Sequence, residues 1–225
     1  MAFLQSQPPR QPFLHAPPVI LWLIALFVAI HIASEAAPGI ITDEVLIRYA
    51  FVPARYAHGA GLLELTVPLV SHMFLHGSWL HLTVNCLWFL AFGPIVARRY
   101  GSPLFLAFFF ACGIAGALTY LAFNWGSPEP VIGASGGISG LMAAGTRLLR
   151  WPNVRPWHGL TPILSRSVLV FTAFWLVANL VLAVVGIGTS GQMEQVAWQA
   201  HLGGFACGLF LINAVELLRE RGLRP

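Results

Sequence analysis

Six stretches of the chain, 19–32, 79–97, 103–123, 131–149, 167–185 and 196–218, run almost free of charge; only Arg147 and Glu216, near two of their ends, interrupt them. A helix crossing the hydrocarbon core of a bilayer needs about 20 such residues. The runs are continuous, whereas a membrane barrel needs strands of about ten residues that alternate polar and apolar. Only 9% of the 225 residues are charged and 57% are hydrophobic, against roughly a quarter charged in a soluble domain. Too few charges remain to coat a water-soluble globule. The expected fold is an all-α membrane protein, a polytopic bundle of six transmembrane helices over residues 19–218. A short segment, 1–18, precedes it and a tail, 219–225, follows.

The first run can also be read as a signal peptide, with small residues from Ala33 to Ala37 as a cleavage site. Against this, the segment before it is long and Pro-rich and carries one charge, Arg10. Residues 38–70 are too polar to span and too apolar to lie free in water, which predicts an interfacial, partly embedded loop. The net charge of +4 forms no stripe suited to nucleic acid, so no nucleic-acid partner is expected. Cys86, Cys112 and Cys207 each lie inside an apolar run without CxxC spacing, which argues against a disulfide framework or a zinc knuckle.

Arginine supplies every basic position. With six spans, ten of the twelve arginines fall on one side, leaving Arg48 and Arg55 on the other. The positive side faces the cytoplasm, so both termini are expected there. The absence of Lys points to a GC-rich genome, and short termini suit a minimal bacterial form, giving a multi-pass protein of the bacterial inner membrane as the expected location.

Polar groups inside a bilayer are costly and are therefore candidates for function. They are His72, His76, His81 and Asn85 around the start of the second run, Ser135 and Ser139 in the fourth, and His201 in the sixth. Ser135 lies in Gly133-Ala134-Ser135-Gly136, where lack of bulk lets a substrate backbone approach. A helix start there also offers unpaired N–H groups to a developing negative charge. Such clusters also serve as packing surfaces between membrane helices. His201 is the side chain suited to take a serine proton near neutral pH. Ala200, Gly204 and Gly208 form one smooth face and Gly136 and Gly140 another, so the two helices can approach closely and bring His201 toward Ser135. His81 and Asn85, four apart, share a helix face and can donate to an oxyanion. The alternative is that they merely bond a neighbouring helix. His72 and His76 are expected to be structural, holding the embedded loop.

Three segments resemble the rhomboid intramembrane serine proteases: residues 72–85 (HMFLHGSWLHLTVN), Gly133-Ala134-Ser135-Gly136 continuing to Gly140, and Ala200-His201-Leu202-Gly203-Gly204. The resemblance implies a serine endopeptidase that cuts transmembrane protein substrates within the lipid bilayer, with no cofactor and no metal. It implies Ser135 as nucleophile and His201 as base, with His81, Asn85 and the Ser135 N–H as the oxyanion hole. It also implies a water-filled cavity opening away from the cytoplasm. The chain departs from the pattern in three places. No acidic residue follows Phe92-Gly93, no Trp-Arg pair precedes His72, and Ser139 stands where some relatives carry an aromatic against the histidine. Ser135 is preferred over Ser139, which lies a turn deeper.

Two other readings compete. A zinc-dependent membrane hydrolase would use His72, His76 and His81, but His72-Met73-Phe74-Leu75-His76 lacks the Glu of HExxH. An inactive rhomboid-like protein that binds membrane helices typically loses the nucleophile or the base, and this chain keeps both.

Overall fold

The computed structural model describes residues 16–36, 40–152, 154–189, 192–194 and 196–222. Most of the expected terminal segments, including Arg10 and Arg224, lies outside the described residues. Nine helices are described: α1 (Pro18–Ala36), α2 (Ile40–Tyr49), α3 (Ala54–Ala57), α4 (Leu62–Thr66), α5 (Pro68–Ser71), α6 (Trp79–Phe123), α7 (Ser135–Leu148), α8 (Arg166–Val185) and α9 (Trp198–Glu220). A 3₁₀ turn, His72–Phe74, follows α5, and a short antiparallel hairpin, β1 (Ile187–Thr189) with β2 (Gln192–Glu194), joins α8 to the approach of α9. Nothing in the sequence pattern announces that hairpin.

Among the described residues, four helices are long and apolar enough to cross a membrane: α1, α6, α8 and α9. Their outward faces are apolar, with Trp22, Phe174, Val177 and Val184 all more than 60% exposed. A water-soluble surface would not carry such a belt, whereas a lipid-facing one requires it. The chain is an integral membrane protein. The second and third runs belong to one helical stretch of 45 residues that breaks at Gly101, where φ is 75° and ψ 168°. A residue with a Cβ is strained in that conformation. Pro103 sits in the first turn beyond the break, where its missing N–H costs nothing. Ser78 caps the start of α6 by accepting from the His81 N–H at 3.2 Å.

The fourth run differs from expectation in extent. Its helix, α7, has 14 residues where the apolar run has 19. At 1.5 Å per residue that is about 21 Å, short of the roughly 30 Å hydrocarbon core. It needs no lipid-facing surface, because every residue from Gly136 to Arg147 is buried by protein. Small residues on α7 and large aromatics on α6 fill this centre together. Phe89, Phe105 and Phe109 pack on one another, with Phe105 and Phe109 stacked at 6.2 Å and Phe89 and Phe109 at 5.1 Å between centroids.

Glycines set how closely α7 and α9 approach. A Cβ on Gly204 would collide with the Gly136 carbonyl, and one on Gly208 with the Gly140 backbone. A Cβ on Gly140 would lie 3.0 Å from the Gly204 oxygen and one on Gly136 3.5 Å from the Ala200 oxygen. Gly116 of α6 completes the contact, since its Cβ would come within 2.6 Å of the Ala200 oxygen. Three helix backbones therefore meet without side chains between them.

The opposite end is closed by charge. Glu216, 1% exposed, accepts from Arg99 at 2.8 and 2.9 Å, from Tyr100 at 2.6 Å and from Arg219 at 2.6 and 2.9 Å. Buried Arg147 donates to the carbonyls of Thr161 (3.1 Å) and Leu209 (2.8 Å), fastening the loop after α7 to α9.

Gly208→Val should lower the thermal midpoint in detergent, because forcing a side chain into a filled backbone contact costs about 1–3 kcal/mol or more. Gly61→Ala has nothing within 4 Å of its new Cβ and should lower the midpoint far less, by no more than the loss of a glycine N-cap on the short helix α4. Equal midpoints for the two variants, followed by circular dichroism, would contradict this packing.

Candidate active site

The segment of short helices between α1 and α6 holds the approach to α7. Phe51 and Val131 exchange backbone hydrogen bonds at 3.1 and 2.8 Å, Ala54 N–H donates to the Ser127 carbonyl at 2.9 Å, and Gly133 N–H donates to the His72 carbonyl at 2.9 Å. The segment is tied internally by Arg55, which donates to the carbonyls of Ala50 (3.2 Å) and Ile47. Tyr56 donates to Leu65 at 2.5 Å and Ser71 to Tyr49 at 2.8 Å. These bonds stand where the missing Trp-Arg pair left the loop without an assigned anchor. The His72 ring is buried against Phe51, with Nδ1 2.7 Å from the Pro68 carbonyl. His76 packs between Phe27 and His81, at 5.6 and 5.2 Å between centroids.

The loop so held ends at Gly133, whose φ of +112° suits glycine alone. A Cβ there would lie 2.7 Å from His81 Nε2 and 3.8 Å from Ser135 Oγ. Glycine thus lets the His81 ring sit beside the Ser135 hydroxyl. Ser135 is the first residue of α7, so its hydroxyl stands at the end of the helix where backbone N–H groups lack intrahelical partners.

His201, in the first turn of α9, comes to Ser135 across the glycine contact. Its Nε2 is 2.7 Å from Ser135 Oγ. That is hydrogen-bond distance for a hydroxyl donating to an imidazole nitrogen. The other ring nitrogen, Nδ1, is 2.7 Å from Oδ1 of Asn179 on α8. Nδ2 of Asn179 in turn donates to the Trp198 carbonyl at 3.2 Å. Sequence reasoning passed over Asn179, although one signal was available. It is a polar amide in the middle of an apolar span, a position costly enough to prompt a search for its partner.

The other candidates are placed differently. Asn85 is buried, and its amide donates to the His81 carbonyl of its own helix at 3.0 Å. An amide nitrogen has two hydrogens, so this bond occupies one of them. Ser139 is 4% exposed and sits one turn along α7 from Ser135, while His201 Nε2 is engaged by Ser135. Among the described residues, no group of three or more His, Cys, Asp or Glu is gathered to hold a metal ion.

The fold and this site define a helical membrane protein with a hydrogen-bonded Ser–His pair at the start of a buried helix. Residues 64–216 match the family model described as Rhomboid domain, and the chain belongs to the rhomboid family. It is 24% identical to RHOMBOID-like protein 5 of Arabidopsis thaliana over 95% of this chain and 74% of that one. It is 26% identical to Rhomboid protease GluP of Bacillus subtilis over 91% of this chain and 36% of the relative. With Rhomboid protease GlpG of Serratia proteamaculans it shares 29% identity, over 87% of this chain and 62% of the relative. The chain thus spans less than two thirds of the two bacterial proteins' length.

A fluorophosphonate should label the folded protein on Ser135, with Ser139→Ala labelled at close to the wild-type rate and Ser135→Ala unlabelled. Peptide mass spectrometry of the adduct checks this, and an adduct on Ser139 would mean that the other serine is the nucleophile.

Proposed function

We propose that this chain is an active intramembrane serine protease that hydrolyses peptide bonds in or near the transmembrane helices of membrane proteins. The observation that carries the reading is the 2.7 Å contact between Ser135 Oγ and His201 Nε2, made at a helix N-terminus in a chain of the rhomboid family. Ser135 is the nucleophile and His201 the base. The hydroxyl proton passes to Nε2 as Oγ bonds to the scissile carbonyl carbon, and the imidazolium then returns that proton to the leaving amine. Water repeats the cycle on the acyl enzyme. His81 and Asn85 side chains and the Ser135 N–H receive the oxyanion; its stabilisation is often the largest single effect in such reactions. For Asn85 this uses the amide hydrogen not committed to the His81 carbonyl. No cofactor or metal takes part in these steps.

The same reading completes the topology. The two limbs of α6 on either side of Gly101 count as two crossings and α7 as a short internal one, which with α1, α8 and α9 makes six. The domain comprises residues 19–218. Both termini then face the cytoplasm in a bacterial inner membrane, the Arg-rich end of the bundle inside and Ser135 toward the opposite side. An inactive relative that only binds membrane helices has no use for a serine hydroxyl and an imidazole at hydrogen-bond distance.

A substrate helix has its carbonyls engaged in its own hydrogen bonds, so it must unwind to reach Ser135. Unwinding is easiest near the membrane surface and at Gly, Pro or other weak helix formers. The small residues around Ser135 leave space for a small side chain before the cut. Cleavage of a single-span substrate is expected after Ala, Gly or Ser near its non-cytoplasmic end. Product mapping by mass spectrometry, comparing wild type with Ser135→Ala, tests this. Cuts after Phe or Trp, or at the cytoplasmic end, would contradict it.

Losses in Ser135→Ala and His201→Ala should not add in the double variant, because the two residues act as one unit. Replacing His81 or Asn85 by Ala should lower kcat more than it raises KM, by up to about 10²–10³-fold per donor. Steady-state kinetics on each single variant and on the pair decides, and an unaffected pair would remove them from the oxyanion hole.

A further inference from the structure

Asn179 is the one polar side chain among the three buried residues of α8, the others being Val168 and Trp175. It makes two hydrogen bonds at once. The Trp198 carbonyl is an acceptor only, so the amide must turn its Nδ2 toward that oxygen, at 3.2 Å. Oδ1 is thereby fixed against His201 Nδ1, at 2.7 Å. An amide oxygen is likewise only an acceptor, so Nδ1 must carry the hydrogen. In a neutral imidazole that leaves Nε2 with its lone pair, facing Ser135 Oγ at 2.7 Å. The chain of orientation runs from a backbone carbonyl in the first turn of α9, through α8, to the reacting hydroxyl on α7.

We propose that Asn179 is a positioning residue that holds His201 in the Nδ1–H tautomer, with Nε2 free to take the Ser135 proton. The proposal rests on the reading of Ser135 and His201 as the reacting pair. It adds a third side chain to the Ser135–His201 pair, with an amide in the place where many soluble serine hydrolases carry a carboxylate. The amide cannot neutralise the imidazolium, but it keeps its hydrogen bond to Nδ1–H in both charge states of the ring. Without it the ring is free to rotate or to place its hydrogen on Nε2, and in either arrangement the serine proton has no acceptor.

The surroundings of Asn179 permit a clean test. It borders a largely apolar hollow of about 200 Å³ between α8 and α9, lined also by Leu176, Leu180, Trp198 and Leu202. Asn179→Leu therefore replaces the amide by a side chain of similar length beside space already apolar, and the variant is expected to fold. Asn179→Asp is the second variant, because a carboxylate still accepts from Nδ1–H and also stabilises the protonated ring. His81 is the other titratable group close to the His201 ring; it is unchanged in every variant, so differences in pH profile report on position 179.

Wild type, Asn179→Leu, Asn179→Asp and Ser135→Ala are compared in detergent by cleavage of a single-span substrate and by fluorophosphonate labelling, each across pH 5 to 9. Asn179→Leu should lose about 10–100-fold in kcat, the size seen when a metal-bound histidine loses its orienting partner, with KM within about twofold. Asn179→Asp should recover part of that loss, since its second oxygen meets the Trp198 carbonyl where the amide donated, with its acid limb moved to higher pH because the ring must still be deprotonated before it can accept. Wild-type kcat in Asn179→Leu, or an unmoved acid limb in Asn179→Asp, would overturn the proposal. If wild type cleaves and labels while Ser135→Ala does neither, that result concerns Asn179 alone. If wild type neither cleaves nor labels, the paired reading fails and this one falls with it.

Discussion

Contact between the α7 and α9 backbones is the constraint on which the site depends. The Gly204 Cα faces the Gly136 carbonyl and Gly208 faces Gly140, with no room for a Cβ at either point. Packing of this kind gains its stability from dispersion between closely apposed backbones, since lipid offers no hydrophobic force to press two apolar helices together. It also fixes the axial register. Ser135 opens α7 one residue before Gly136, and His201 lies three residues before Gly204, so the glycine register carries the hydroxyl and the imidazole to the same level. A short helix with unsatisfied terminal N–H groups would be expensive in hydrocarbon. Enclosure by α6 and α9 removes that cost and leaves the helix end facing the site.

The sequence made much of this arrangement legible. Charge-free runs and the spacing of Gly136, Gly140, Gly204 and Gly208 point to close helices. Ser135 and His201, singled out as polar groups amid small residues, lie within hydrogen-bond distance of each other. Family membership follows from the same segments and is matched over residues 64–216. What stayed hidden has physical reasons. The glycines at 133, 136, 137 and 140 hint at a late or tightly packed start, but the boundary of α7 depends on burial by other helices, so the apolar run overstates its helix by four residues at the start. Gly101 breaks α6 through a backbone angle that composition does not reveal. The loop anchors at Arg55, Tyr56 and Ser71 go to backbone carbonyls, which carry no sequence signature.

Asn179 was missed for a different reason. The other candidates were found beside small residues or at helical spacing from one another, whereas Asn179 stands alone among Val, Leu and Ala. Its significance lies in partners far along the chain, Trp198 and His201. His81 and Asn85 show the opposite limit: their shared helix face is plain in the sequence, yet the bond from the Asn85 amide to the His81 carbonyl emerges only with coordinates.

The most direct measurement of the dependence of the site on backbone packing is the rate of Ser135 phosphonylation in Gly204→Ala, taken at a temperature where circular dichroism shows the variant as helical as wild type. A methyl group there displaces the Gly136 carbonyl and, with it, the first turn of α7. The expected result is a labelling rate at least about tenfold below wild type and approaching that of His201→Ala, since small misplacements of reacting groups cost rates of about this order or more. A wild-type rate in the folded variant would contradict the claim that the glycine contact sets the geometry of Ser135 and His201.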